Sequence, residues 1–116
     1  MSLRDRIQAA NDIQNRMINV SQWGVDLELR TLTAIERTRL VKSCTDDEGN
    51  VDLEKMYPLL LIASCFDPET GDKVFDASDM EMLGDKSASA VEFVARQAME
   101  LSGMNAAAVD TEGKDS

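Results

Sequence analysis

The sequence predicts an α+β fold, mostly helical, in which a short N-terminal β-hairpin packs against about four helices within a single domain. The first observation behind this is a change of hydrophobic period within residues 22 to 37. Trp23, Val25, Leu27 and Leu29 recur at every second residue with Asp26, Glu28 and Arg30 between them, which gives a strand one apolar and one charged face. At Thr33 the chain offers a hydroxyl with Glu36 three residues on, the reciprocal pair that satisfies open backbone N–H groups at a helix start. The second observation is that apolar residues beyond Thr33 recur at steps of three and four, the period of helices with one buried face. The third is size: 116 residues with 43% hydrophobic content suit one modest core and leave no room for a second.

Taken in order, residues 3 to about 17 place Leu3, Ile7, Ala10, Ile13 and Met17 at steps of three or four, a weak amphipathic helix without a strong cap. Ile18-Asn19-Val20 alternates, so a short strand is expected to pair with the strand at 25 to 31 through a tight or bulged turn. A lone hairpin is marginal in water, and the helices that come after it must cover it. Helix 33 to 44 presents Ile35, Leu40, Val41 and Cys44 and ends in the acidic turn Thr45-Asp46-Asp47-Glu48-Gly49-Asn50. Asp52 then caps a second helix, whose stripe of Leu53, Met56, Tyr57, Leu60, Leu61 and Ser64 is widened by Leu59 and Ile62. Pro58 inside it removes a hydrogen bond and crowds the preceding turn, so a kink or a restart at Pro58 is expected.

Asp67-Pro68-Glu69-Thr70-Gly71 reads as a compact turn, with Phe66, Val74 and Phe75 tacking its ends to the core and pairing briefly. Asp76 caps a short helix from Ala77 to about Gly84, with Asp79 in its first turn. Asp85 or Ser87 caps the last helix, whose stripe is Ala88, Val91, Val94, Ala95, Ala98 and Leu101 and which Ser102-Gly103 stops. From Met104 on, no periodicity could bury anything, so disorder is expected. The organisation is thus a helical segment at 1–17, a domain at 18–103 and a tail at 104–116.

Composition excludes several function classes. The chain has no histidine, which removes the commonest general base and metal ligand and weighs against an enzyme. Phosphate-binding glycine motifs are absent, so neither a catalytic residue nor a cofactor is expected. Cys44 and Cys65 sit in apolar helical patterns with no Cys-x-x-Cys spacing, and they read as buried free thiols. The acidic segments 46–52 and 67–72 alternate oxygen ligands, but neither matches the twelve-residue calcium loop, so no metal is assigned. No apolar run approaches the roughly 20 residues of a membrane span, and no signal-peptide core comes after Met1, which reads as a cytosolic protein without a membrane partner.

The net charge of −10 is unevenly placed. Residues 1 to 42 carry seven basic side chains against five acidic, and residues 43 to 116 carry five against seventeen. So acidic a chain, with few aromatic residues, is unsuited to nucleic acid. Two readings of the partition stand: a solvated acidic surface that maintains solubility, or self-association into a homo-oligomer, basic N-terminal part against acidic C-terminal part. Seven methionines are many for this length, and Met82 and Met99 fall off the apolar stripes. They either fill irregular gaps in the core or form an adaptable partner-binding surface, and Trp23 has the same two readings.

Between residues 18 and 103 the chain resembles the small tail assembly chaperones of long-tailed bacteriophages. The resemblance is carried by Trp23-Gly24, by Arg30-Thr31-Leu32-Thr33 with Glu36-Arg37, and by Leu60 through Cys65. It continues in Asp67 through Gly71 with Val74-Phe75 after them, in Ala77-Ser78-Asp79 with Leu83, and in Leu101-Ser102-Gly103. It implies an α+β domain with a non-enzymatic role in the host cytoplasm: binding and solubilising the tape measure protein, helping to recruit the major tail tube protein, and absence from the mature virion. A structural tail completion or head–tail connector component is the alternative. It also implies a longer form made by ribosomal frameshifting, for which the Gly113-Lys114 codons can supply a slippery run. Pro58 and the basic N-terminal segment depart from the usual pattern, and the family has no motif that names ligand positions.

Overall fold

The hairpin forms where the alternation predicts, and its register decides which residues face the helices. In the computed structural model, which describes residues 1–104, β1 (Asn15–Val20) pairs antiparallel with β2 (Val25–Arg30). Arg16 stands opposite Leu29, Ile18 opposite Leu27 and Val20 opposite Val25. These six share one face, because directly opposed residues of an antiparallel pair point the same way. The turn between the strands is closed by the Trp23 N–H donating to the Val20 carbonyl at 3.0 Å, with Gly24 at φ 64°, a left-handed backbone that suits glycine. A two-residue strand, β3 (Cys65–Phe66), adds antiparallel to β2 in the order β1-β2-β3.

The helices are α1 (Leu3–Ala9), α2 (Ala34–Cys44), α3 (Leu53–Ser64), α4 (Met80–Gly84), entered through a 3-10 turn at Ala77–Asp79, and α5 (Ala88–Leu101). The α+β, largely helical fold with an N-terminal hairpin is the one the sequence predicts. The Thr33–Glu36 capping box is formed at both ends, with the Thr33 N–H donating to Glu36 Oε1 at 2.9 Å and the Glu36 N–H to Thr33 Oγ1 at 3.2 Å. Asp52 caps α3 and Ser87 caps α5. Asp76 caps the 3-10 turn, and Asp79 returns a bond to the Asp76 N–H. The α3 helix lies against both α2 and α5, and α5 also covers the inner face of β1 and β2. Val20, Leu29, Met56, Leu60, Leu61, Cys65 and Val94 are fully buried at this junction.

Three local expectations are corrected. The N-terminal helix ends at Ala9, not near residue 17, because Asn15, Arg16 and Met17 extend the alternation of Ile18 and Val20 and complete the ladder to Arg30, Leu29 and Glu28. Trp23 lies in the hairpin turn, two residues before the start of β2. α3 does not restart at Pro58, the second of the two outcomes expected there, but runs as one helix across it from the Asp52 cap. The N–H that proline lacks would have bonded the carbonyl of Glu54, in the first turn at the exposed end of the helix, where its loss is best tolerated.

The C-terminal boundary also moves. Gly103 adopts φ 70°, its N–H donates to the Glu100 carbonyl at 3.1 Å, and the Met104 N–H donates to the Met99 carbonyl at 2.7 Å. This is a Schellman termination, which brings the residue after the glycine back onto the helix, and Met104 is 2% exposed. The predicted tail therefore starts no earlier than residue 105. The expectations of disorder beyond that point and of a frameshift at Gly113-Lys114 concern residues outside those described.

Candidate partner-binding surface

The three side chains singled out by sequence do not share a surface. Met99 is 4% exposed and belongs to the core, held inward by the Schellman turn that pairs its carbonyl with Met104. It is corrected to a packing residue. Trp23 is half-buried against the core, its turn tied to α5 by the Gln22 side-chain amide donating to Ser89 Oγ at 2.9 Å. Met82, on α4, is 40% exposed and accessible to a partner. Other apolar side chains that stand out to solvent are Leu3, Ile7, Ile13, Met17, Val25, Ile35, Leu53, Val74 and Phe93.

The outer face of the sheet is organised by Arg30. Its Nε donates to Glu28 Oε2 at 2.7 Å, its guanidinium lies 3.9 Å from the centre of the Phe66 ring, and its Nη2 reaches the Gly71 carbonyl at 3.5 Å. A planar cation can satisfy a carboxylate, an aromatic face and a carbonyl together, which a lysine could not. The effect is to hold the 67–73 loop beside β2. The loop closes on itself through the Asp67 N–H to the Asp72 carbonyl at 2.8 Å, and it rejoins the sheet at the Phe66–Lys73 bridge, the brief pairing predicted for its ends.

Between that loop and the start of β2 lies an open groove of about 430 Å³. Val25, Leu27, Pro68, Val74 and Phe75 give it apolar walls, and Asp26, Asp67 and Glu69 give it three carboxylates with no basic residue among them. It exists because β3 is only two residues long. It pairs with Glu28 and Leu29, so Val25–Leu27 are left without a strand on that side among the described residues. Sequence reasoning missed this site: the apolar pattern assigns Val25 and Val74 inward-facing roles, yet each is 41% exposed. The one available signal was an acidic, glycine-containing turn placed directly before two apolar residues.

The remaining chemistry is quiet. Cys44 and Cys65 are free and buried, and burial pushes their thiols up, to about 11 and about 12. At neutral pH neither is a thiolate, so neither is an activated nucleophile. The acidic turn after α2 uses its first carboxylate internally: Asp46 Oδ1 accepts the N–H groups of Asn50 and Glu48, both at 2.9 Å, which hold the Asp46 carboxyl below its ordinary value of 3.8. Asp76 is held low in the same way by the hydroxyl and N–H of Ser78. Among the described residues no three or more His, Cys, Asp or Glu side chains are placed to hold a metal ion. No helix among them is long and apolar enough to cross a membrane.

No family model and no curated protein sequence matches the chain. Among solved structures, it is similar to the tail assembly chaperone of bacteriophage HK97, with a TM-score of 0.61 and 18% sequence identity over 84% of this chain and 91% of that one. The two share a fold.

Proposed function

We propose that this chain acts as a phage tail assembly chaperone, a binding protein and not an enzyme. The observation that carries the proposal is the fold shared with the HK97 chaperone over nearly the whole length of both chains. The partner in this reading is the tape measure protein, a long helical protein whose apolar stripes are prone to aggregate before the tail exists. A chaperone for such a client needs strong charge for solubility and apolar side chains free to cover the stripes. The net charge of −10 supplies the first, and Met82, Phe93 and the walls of the β2 groove supply the second. Recruitment of tail tube subunits, action in the cytoplasm of the infected host and absence from the finished virion belong to the same proposal.

Co-expression provides the test. The tape measure protein of the same phage is produced alone and with this chain, and its soluble fraction and co-purification are measured. The expected result is a clear rise in soluble tape measure protein that co-elutes with the chaperone. No gain and no co-elution would overturn the reading. Mass spectrometry of purified particles then separates an assembly factor, which is missing from them, from a tail completion or connector component, which remains.

A further inference from the structure

The groove beside β2 offers backbone groups as well as side chains. The Val74 N–H donates to the Cys65 carbonyl at 3.2 Å and the Asp67 N–H to the Asp72 carbonyl at 2.8 Å, so Cys65 and Asp67 turn their backbone groups toward the returning chain. Backbone groups alternate sides along a strand, so Phe66, between them, turns its own toward Glu28, its partner on β2. By the same alternation Asp26 is the next residue of β2 whose N–H and carbonyl face this edge. A straight continuation of β3 would set Pro68 opposite Asp26, but proline has no N–H to give, and the chain turns away at Asp67 into its loop. Among the described residues no strand stands opposite Asp26 on that side. Such an edge is a template for an added extended chain.

We propose that this edge takes a short extended segment of a different protein, with a basic residue opposite Asp26 and an apolar residue on each side of it. The register dictates the pattern. Directly opposed residues of paired strands point the same way, so the central side chain of the guest stands beside that of Asp26, on the sheet face away from the helices. The Asp26 carboxylate is already steadied there by the Asn19 side-chain amide at 2.8 Å. The two flanking side chains point to the face that carries Val25 and Leu27, where Val74 and Phe75 wall the groove. The charge of the central residue is set by the lining: Asp26, Asp67 and Glu69 are met by no basic residue among the groove residues, so a cation is attracted and a further carboxylate repelled. Two main-chain bonds at Asp26 hold the guest, and the side chains select its sequence. On the chaperone reading above the segment belongs to the client, and the proposal rests on that reading for the source of the segment alone.

Amide-resolved NMR on the full chain, titrated with a short capped peptide whose centre reads Val-Arg-Val, tests the proposal. The Asp26 N–H signal is expected to shift and its exchange with water to slow, because it gains a bond. Three changes should each weaken binding by about 10-fold or more: a Val-Glu-Val centre, Asp26→Lys in the protein, and N-methylation of the central arginine, which keeps the charge but removes the N–H that the Asp26 carbonyl accepts. Circular dichroism checks that Asp26→Lys remains folded, and Glu69→Lys, on the exposed loop and outside the hairpin, should weaken binding in the same direction. No change at Asp26, a methylated peptide that binds as well as the unmodified one, or indifference to both charge reversals would overturn the proposal. Binding that appears only as the chain is diluted would give the edge to a second copy and overturn it as well. The co-expression experiment stays separate: a solubilised tape measure protein without peptide binding refutes this docking mode alone, and peptide binding without solubilisation supports the edge and refutes the client.

Discussion

Replacing Trp23 by alanine tests whether the hairpin turn is part of the core. The ring is half-buried and packs against the buried cluster, while the neighbouring Gln22 holds the turn to α5. A tryptophan so placed removes roughly 100–150 Å² of apolar surface from water, worth about 2.5–4 kcal/mol, and allowing for a compact unfolded chain leaves about 2–3 kcal/mol. For a domain of this size that corresponds to a fall in Tm of roughly 8–15 °C. Trp23 is the sole tryptophan, so the variant must be tracked by far-ultraviolet circular dichroism, in thermal and urea unfolding alike. A loss below about 0.5 kcal/mol, the range of ordinary surface substitutions, would refute the reasoning and return Trp23 to the role of interface residue.

Met99→Ala should cost about 2–4 kcal/mol by opening a cavity, whereas Met82→Ala should stay within about 0.5 kcal/mol, and parallel urea titrations compare them directly. Ser64 is fully buried and its hydroxyl has no hydrogen-bond partner among the described residues, so Ser64→Ala should raise stability by about 1 kcal/mol, read as a higher urea midpoint; a fall would mean that the hydroxyl is satisfied. The folded-state pKa values of Asp46 and Asp76 lie below the ordinary 3.8, so their contribution is fully present above that pH and is lost as pH falls through the lowered values. Urea midpoints measured downwards through this window should decline, and Asp46→Asn with Asp76→Asn should flatten the decline.

What the sequence disclosed, it disclosed through local chemistry. Thr33 and Glu36 are three residues apart and make their capping box without help from the rest of the fold, and Asp52 and Asp76 cap on the same terms. The first half of the N-terminal strand, Asn15 to Met17, was hidden because Met17 fits a helical stripe from Leu3 as well as it fits an alternation with Asn15 and Asn19. Pairing with β2, which lies in the later sequence, decides between them. Arg16 shows why pattern alone failed there: it occupies the inner face of β1, and it is tolerated because its guanidinium meets Gln97 at 3.0 Å and Glu100 at 3.6 Å across α5. Met99 looked like a surface residue because a helical wheel takes no account of residues beyond the helix end. The glycine at 103 folds Met104 back, and the core extends to include both. The groove was least legible of all, since its walls come from segments forty or more residues apart, joined by a two-residue strand that has no period to detect.

That short strand gives the carboxylates of the groove a protective role that salt can test. The open stretch Val25–Leu27 is a template on which another chain could add as a strand, and a charged rim is the usual protection of such an edge. Asp26, Asp67 and Glu69 repel one another's kind, so an acidic chain with seventeen carboxylates beyond residue 42 is turned away from adding through its own acidic segments. If the rim is what keeps this edge unpaired, raising salt from low concentration to about 0.5 M, where the screening length falls to a few ångströms, should increase self-association in sedimentation velocity, because the carboxylates then no longer sense each other beyond contact. The variant Asp67→Asn/Glu69→Asn should do the same at low salt. Association unchanged by either perturbation would refute a protective role for the rim.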